Sequence, residues 1–317
     1  MAGKLRLFFA TDLHGSEKCF RKFLNGGAAY RPDAMVLGGD IAGKAVQAVV
    51  EHGDGRYRFG FRGHDYDLED GDELRRVERL LADNGYYAWR CPPGALERRQ
   101  EDGTMDELLL ELMRERLAGW MALAEERLRP QGIAAFWMLG NDDPPQLGEL
   151  LEAAPWGAQA EGRVLPLGDG HCLLSLGYSN ITPWESYREL PEDELAAALE
   201  RLFEQVEEPR RAVLNVHVPP HGTGLDEAPV LDRELRVQTS AGQVRMGSVG
   251  STAVREAIER YQPLASLHGH VHESAGFRRI GRTLAVNPGS DYGTGALNGV
   301  ILSLDGDRVA AHQLVRG

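Results

Sequence analysis

Seven residues that could ligate metal ions each follow an apolar run of strand length. They are, in chain order, Asp12, His14, Asp40, Asn141, His217, His270 and His272. Carboxylate, amide and imidazole donors without a thiolate suit manganese, iron or zinc, and they do not suit a structural zinc site. A donor set of this size fits a pair of ions, and Asp40 is the best placed carboxylate to bridge them. The sequence therefore predicts a dinuclear metal centre.

The strength of this pattern lies in its repetition. A single Asp-x-His, such as Asp12 to His14, occurs often by chance and fits a polar turn after a strand equally well. Here five apolar runs end in the same kind of side chain. Strands that alternate with helices predict a layered α/β sheet, in which ligands collect at the carboxyl ends of the strands. Because His270 and His272 alternate, they can reach different ions.

The elements that position these residues follow from the apolar periodicity. Helices are predicted, in chain order, over about residues 16–27, 70–84, 102–128, 191–206 and 251–261. Ser16 is the expected N-cap of the first, and Asp143 is expected to cap a short helix that begins at the following prolines. The tail from Ala275 to Val315 is expected to be antiparallel.

An insertion of about residues 51–130 interrupts the sheet pattern. It contains a predicted hairpin, with turn signals at Gly53-Asp54-Gly55 and Arg62-Gly63-His64, and two of the predicted helices. Their apolar stripes fit plain core packing, with a lid or a dimer surface as the alternatives. We expect one domain over residues 1–317, with the insertion beside the metal cleft.

Composition limits the partners of the protein. The chain has 317 residues, 42% of them hydrophobic and 26% charged, with a formal net charge of −13. The negative charge works against broad nucleic-acid binding, although bound cations would still allow a small phosphoester substrate. No apolar run approaches a membrane helix, and the start lacks a signal-peptide pattern, so a cytoplasmic protein is expected. A homo-oligomer is left open.

The motifs around these residues resemble the calcineurin-like metallophosphoesterase superfamily. Its pattern is Asp-x-His, Gly-Asp, Gly-Asn-His, a lone histidine after a strand, and Gly-His-x-His, and the match spans residues 12–272. The branch related to cyclic-nucleotide phosphodiesterases is the most similar, judged from the segments Gly140-Asn-Asp-Asp143, His217-Val-Pro-Pro-His-Gly-Thr223, Leu267-His-Gly-His-Val-His-Glu273 and Asn287-Pro-Gly-Ser290. The resemblance implies an α/β fold of four layers in the order α-β-β-α.

The resemblance also implies how the donors divide between the two ions. One ion would be held by Asp12, His14, Asp40 and His272. The other would be held by Asp40, Asn141, His217 and His270. A hydroxide that bridges the two ions would attack the phosphoester, and manganese is the favoured metal.

One position departs from the family pattern. Most members have a histidine after Gly-Asn, whereas this chain has Asp142. The histidine is credited with stabilising the transition state or protonating the leaving group, and an aspartate beside two cations is ionised at neutral pH. Asp142 is therefore expected to orient a ligand histidine. His221 and His268 could replace the missing imidazole, with a purely structural histidine as the alternative for each.

These observations predict a metal-dependent phosphohydrolase that acts on a small phosphoester, and on a diester in preference to a monoester. The alternatives are a phosphomonoesterase, a nuclease of the same fold, and a non-catalytic metal-binding scaffold. The acidic balance counts against the nuclease. The complete set of donors counts against the scaffold.

Overall fold

The structure, a computed structural model, describes residues 4–53, 55–232, 234–240 and 242–317. Its helices are, in chain order, α1 Glu17–Tyr30, α2 Asp72–Asp83, α3 Ala95–Glu101, α4 Met105–Leu128, α5 Gly148–Glu152, α6 Glu192–Phe203 and α7 Thr252–Tyr261. All of the predicted helices are present, with bounds that differ by a few residues. Within the described ranges, no helix is both long and apolar enough to cross a membrane.

The strands are mostly short. They are, in chain order, β1 Leu5–Ala10, β2 Ala34–Gly38, β3 Ala45–Glu51, β4 Arg56–Phe61, β5 His64–Glu69, β6 Tyr86–Cys91, β7 Ala134–Met138, β8 Ala158–Gln159, β9 Val164–Gly168, β10 His171–Leu176, β11 Ser179–Asn180, β12 Glu189–Leu190, β13 Ala212–Val216, β14 Glu227–Pro229, β15 Thr239–Ser240, β16 Gln243–Val244, β17 Met246–Ser248, β18 Ala265–Leu267, β19 Gly276–Ile280, β20 Thr283–Asn287, β21 Asn298–Asp305 and β22 Arg308–Arg316. The expected antiparallel tail corresponds to the pairs β19 with β20 and β21 with β22.

Two six-stranded sheets carry the predicted ligands. The first has the order β22-β21-β1-β2-β7-β8, in which the last four strands are parallel. The second has the order β19-β20-β18-β13-β10-β9, with four parallel strands between two antiparallel edge strands. Four of the inner strands, β2, β13, β18 and β20, are buried along their whole length. Continuous apolar runs of this kind are typical of parallel strands that are covered on both faces.

Three apolar clusters hold the sheets and helices together. The first lies between the helices α1 and α4 and the first sheet, and it includes Phe20 and Trp137. The second lies between the two sheets, where Phe9 of the first sheet and Val213 of the second are fully buried. The third lies between the second sheet and the helices α6 and α7, around Leu199. The α/β prediction is confirmed, and these clusters accord with layers of helix, sheet, sheet and helix.

The helix α1 is longer than predicted. The glycines at 26 and 27 were expected to end it, but it continues to Tyr30 and ends at Arg31, which has a left-handed φ of 47°. A Cβ at Gly26 would overlap the ring of Phe8 on the adjacent strand. These glycines therefore serve close packing between helix and sheet, and they do not stop the helix.

A separate four-stranded sheet forms from the region around the predicted insertion, with the order β5-β4-β3-β6. The predicted hairpin corresponds to β4 and β5. Strands β3 and β6 were not predicted, because their parallel pairing joins segments that no local pattern links. Asp54, in the first predicted turn, lies outside the described residues.

This small sheet lies beside the first ligand loops. The Gly43 N–H donates to the Tyr87 hydroxyl at 3.0 Å. The Arg116 guanidinium of α4 donates to the carbonyls of Gly15, at 2.8 Å, and Tyr86, at 2.7 Å. The assignment of residues 1–317 to one domain and the role of this region as a lid remain predictions.

Candidate metal centre

Several predicted ligands lie in left-handed backbone conformations just after a strand. The φ angle is 55° at Asp12, 42° at His14, 47° at Asp40 and 65° at His270. Residues other than glycine rarely adopt such angles, and strained residues of this kind cluster at functional sites. The first two ligand loops are hydrogen-bonded to each other, because the N–H groups of Asp12 and His14 donate to the carbonyls of Gly39, at 3.0 Å, and Asp40, at 2.9 Å. The turns are thus fixed by the protein itself.

One group of donors is formed by Asp12, His14 and His272. The Nε2 atoms of the two histidines are 3.1 Å apart. His272 Nε2 lies 3.4 Å from Asp12 Oδ1, and His14 Nε2 lies 3.7 Å from Asp40 Oδ2. Two ring nitrogens and two carboxylates that face one point form a donor set suited to a transition-metal ion.

A second group is formed by Asp12, Asp40 and His217. His217 Nε2 lies 3.4 Å from Asp40 Oδ2 and 3.8 Å from Asp12 Oδ1. Its Nδ1–H donates to the Gly38 carbonyl at 2.9 Å, so Nε2 is the ring nitrogen that faces the two carboxylates. The Nε2 atom is buried without a hydrogen-bond partner. A buried polar atom needs a partner, and a metal ion would supply one.

Asn141 and His270 join this second group. The Asn141 side-chain oxygen lies 2.8 Å from His270 Nδ1, and the His270 ring packs edge to face with that of His217 at 5.5 Å between centroids. The His270 N–H also donates to both oxygens of Asp12 at 3.1 Å. The structure therefore brings all seven predicted ligands together at the carboxyl ends of β1, β2, β7, β13 and β18.

Two glycines make this close approach possible. Gly140 precedes Asn141 and Gly269 precedes His270. A Cβ at Gly140 would overlap the Asp40 carboxylate, and a Cβ at Gly269 would overlap that of Asp12. Both positions therefore require glycine, because the backbone passes directly beside a ligand carboxylate.

The electrostatics of the cluster favour a bound cation. Burial raises the pKa of Asp40 to about 7. Burial alone would lower the pKa of His217, but the carboxylates of Asp40 and Asp12 raise it to about 10. Burial and the neighbouring His272 lower the pKa of His14 to about 3. The carboxylates thus draw a positive charge into the cluster, and a metal ion would take the place of the proton. The residues present fit the predicted ions.

Asp142 lies at the edge of the donor groups, and it forms an ion pair with Lys44. Its Oδ1 accepts hydrogen bonds from Ser186 Oγ at 2.8 Å and from Asn141 Nδ2 at 3.2 Å. Burial would raise the pKa of this carboxyl, but Lys44 lowers it to about 2. Asp142 is therefore ionised. No motif in the sequence pointed to Lys44, although a basic residue four positions after Asp40, in the same strand-end loop, was an available signal.

The two histidines considered as replacement acids lie in different surroundings. His268 is fully buried, with Nδ1 donating to the carbonyls of Val216, at 2.9 Å, and Val218, at 3.1 Å, and Nε2 bonded to Ser266. Both ring nitrogens of His268 are hydrogen-bonded within the protein, so this histidine has a structural role and does not face a substrate. His221 is 43% exposed, and its Nδ1 lies 3.8 Å from Asp226 Oδ2. Its role as an acid stays a prediction.

Asp143 was expected to cap a helix, and this expectation was wrong. The buried carboxylate instead accepts hydrogen bonds from the N–H groups of Ile41 at 3.0 Å, Ala42 at 2.8 Å and Gly140 at 2.8 Å. The donors belong to two loops, and these three hydrogen bonds hold the carboxylate away from the N–H groups of the following helix. Asp143 therefore clamps the Asp40 loop to the Asn141 loop.

Arg188 supports the same loop from the other side. Its N–H donates to the Asn141 carbonyl at 3.1 Å, and its guanidinium donates to the Gly140 carbonyl at 3.2 Å. The guanidinium is paired with Glu161 at 3.0 Å in a largely buried position. No sequence pattern indicated this contact, because the three segments are far apart along the chain.

Comparisons with known proteins address the fold. No family model matches the chain. An uncharacterized protein of Methanocaldococcus jannaschii is 30% identical over 118 residues, or 37% of this chain and 47% of that protein, so the match spans about half of this relative. Two solved structures align over 99% of both chains, one with a TM-score of 0.54 at 16% identity and the other, TT1561 of Thermus thermophilus, with 0.52 at 14%.

At such identities the two solved structures show the fold alone. The sequence motifs and the converging donors are observations on this chain itself. The resemblance to the calcineurin-like metallophosphoesterase superfamily therefore rests on the motifs of this chain, and the two solved structures are similar to it in fold.

Proposed function

We propose that this protein hydrolyses small phosphodiesters with two divalent transition-metal ions. The observation that carries the proposal is the convergence of carboxylate oxygens and imidazole nitrogens at five strand ends. The buried Nε2 of His217, which has no hydrogen-bond partner, lies within this group. Paired ions in such a site serve phosphoester cleavage by in-line displacement.

The proposed ligands divide as the family resemblance implies. Asp12, His14, Asp40 and His272 would hold one ion. Asp40, Asn141, His217 and His270 would hold the other. When bound, the ions would polarise the phosphoester and activate water as the nucleophile, and manganese is favoured over iron and zinc. Asp40 is the proposed bridge.

The remaining side chains limit how the leaving group departs. Asp142 is ionised, so it does not hold a proton to donate at neutral pH. His268 has both ring nitrogens bonded within the core. We infer that the leaving oxygen departs unprotonated or is protonated by water, with His221 as the remaining candidate acid. A diester with a stable leaving group fits this limitation best.

A loop between β11 and β12 supports the preference for diesters. Ser186 ties this loop to Asp142, while Trp184 and Tyr187 beside it are 59% and 58% exposed. The loop is pre-organised, because the Glu189 carboxylate accepts hydrogen bonds from the Ser186 N–H and, at Thr182, from both the N–H and the hydroxyl. Exposed rings on a fixed loop beside the site could contact the second organic group of a diester, which a monoester lacks.

The experiment that tests the proposal combines metal analysis with a substrate series. Protein reconstituted with manganese should contain about two ions per chain, as expected for a site of this class. It should hydrolyse bis(4-nitrophenyl) phosphate with a higher kcat/KM than 4-nitrophenyl phosphate. Cyclic nucleotides and short single-stranded oligonucleotides complete the series.

Matched histidine variants provide the control. His272→Ala removes a proposed ligand, whereas His312→Ala changes an exposed residue on β22. We expect metal content and activity to fall only in the first. At most one ion per chain after reconstitution would contradict the dinuclear site, and faster cleavage of the monoester would contradict the diester preference.

A further inference from the structure

Lys44 is a basic side chain at the edge of the donor groups. It follows Asp40 by four residues, immediately before β3 begins at Ala45. The side chain is 55% exposed, and its ammonium pairs with Asp142. The positive charge therefore lies where the cluster opens to solvent.

The position of Lys44 is defined by its partner. The Asp142 N–H donates to Asp40 Oδ1 at 3.0 Å, and its carboxylate accepts from Asn141 and Ser186. Asp142 also lies in one group with His14 and Asp40, whose ligand atoms are within 4.8 Å of one another. The side chain of Asp142 therefore lies between the Lys44 ammonium and the residues that would hold the ions.

Two other basic groups around the site are already paired. The Arg188 guanidinium is bound by Glu161, and the Arg255 guanidinium is bound by Glu259 and the His221 carbonyl. An ammonium has three donors, and among the described residues Asp142 is the side-chain partner of Lys44. Two donors are therefore left for an anion that enters the site.

We infer that Lys44 binds a phosphoryl oxygen of the substrate and that Asp142 positions it. This inference rests on the proposed function, and its positioning residue is Asp142, which follows Gly140-Asn141 where most of the superfamily has a histidine. In the reaction, the oxygen of water bonds to phosphorus while the bond from phosphorus to the leaving oxygen breaks. The ammonium neutralises negative charge on the phosphoryl oxygens and keeps its own protons. The attacking water releases one proton to solvent, and the departing oxygen takes one proton from solvent water.

The test uses inorganic phosphate as a probe, so that binding is measured without turnover. Manganese-loaded wild-type protein is titrated with phosphate by calorimetry, alongside Lys44→Gln, Lys44→Arg and Asp142→Asn. Loss of a charge-assisted contact should weaken phosphate binding about 10- to 100-fold in Lys44→Gln. Lys44→Arg should recover part of the affinity because it keeps the charge. Asp142→Asn should give a smaller loss because the charge stays but its orientation is loosened.

The same variants are assayed on bis(4-nitrophenyl) phosphate, with elemental analysis of each sample. Lys44→Gln should lower kcat/KM at unchanged metal content. The matched control is Lys4→Gln, at the amino end of β1 and opposite to the ligand end, and it should equal wild type.

Two outcomes separate this inference from the proposed function. If the wild type cleaves the ester and Lys44→Gln matches it in both phosphate affinity and kcat/KM, the inference is overturned while the function stands. If the metal-loaded wild type binds phosphate in a Lys44-dependent way but cleaves none of the esters, the proposed function fails while the anion contact stands.

Discussion

The ligand cluster and its outer rim are built in contrasting ways. The cluster is buried, with Asp12, Asp40 and His217 at 1%, 2% and 0% exposure. The rim, which we define as Lys44, Asp142, Ser186 and Trp184, is half-buried or exposed and comes from three loops. Buried groups with strained backbones hold a charge in a fixed place, whereas exposed groups on loops can vary with the substrate. The contrast suggests that the cluster sets the chemistry and that the rim sets the choice of ester.

Our first prediction tests the centre of the cluster. Asp40→Asn keeps the shape of the side chain but removes the charge that should bridge two ions. Loss of a group that merely supports a metal ligand costs about 10- to 100-fold, so loss of the bridge should leave less than about a tenth of wild-type turnover. Steady-state kinetics and elemental analysis of manganese-loaded protein measure both effects.

His272→Ala is the comparison, because it removes a ligand of one proposed ion only. It should cost less activity than Asp40→Asn. Turnover above a tenth of wild type in Asp40→Asn would contradict the bridging role.

The second prediction concerns the clamp beneath the cluster. In Asp143→Asn, one amide oxygen remains to accept, while the amide NH₂ faces the backbone N–H groups of Ile41, Ala42 and Gly140. We expect manganese affinity to fall about 10- to 100-fold, as for other partners of metal ligands. Calorimetric titration of metal-free protein with manganese measures it. Asp72→Asn, at the start of α2, is the control, and equal affinity in both variants would show that Asp143 does not position the ligands.

The contrast between cluster and rim also explains what the sequence could predict. The seven ligands follow five apolar strands within a few residues, so a local pattern indicates both the element and the donors at its end, as for β1 with Asp12 and His14. Lys44, Asp142 and Ser186 meet only because three loops pack together, and no local pattern records such a contact. Asp143 is a second case. Its neighbours in sequence predicted a helix cap, but its carboxylate accepts hydrogen bonds from the Ile41 and Ala42 N–H groups of another loop.

The third prediction addresses the departure at Asp142. Without a general acid, rates should fall steeply as the pKa of the leaving group rises. A good acid contributes about 10²- to 10⁴-fold, mostly for poor leaving groups. Asp142→His should therefore help methyl or other alkyl esters more than nitrophenyl esters. A series of methyl aryl phosphodiesters whose leaving groups run from 4-nitrophenol to phenol, with dimethyl phosphate as the alkyl ester, compared by kcat/KM, measures the change in slope.

Alanine variants of the two other histidines complete this experiment. His268→Ala should lower the free energy of unfolding, because the side chain is fully buried and bonded to Val216 and Val218. His221→Ala should leave stability nearly unchanged, since the side chain is 43% exposed. Selective loss of activity on alkyl esters in His221→Ala, with both metals retained, would identify His221 as the acid and refute our interpretation that none is present.

The fourth prediction, with the smallest expected effect, tests the rim as a determinant of substrate choice. Trp184 is 59% exposed on the loop that Ser186 ties to Asp142, and aromatic contacts contribute about 0.5–1.5 kcal/mol beyond burial. Trp184→Ala should therefore raise KM for bis(4-nitrophenyl) phosphate about 2- to 10-fold and leave KM for methyl 4-nitrophenyl phosphate nearly unchanged. Metal content should stay at the wild-type value, because the cluster does not depend on this ring. Leu80→Ala, an exposed apolar residue on α2, is the matched control. Equal effects on the aryl and methyl diesters would mean that the ring does not contact the second ester group, and the choice between esters would then not come from Trp184.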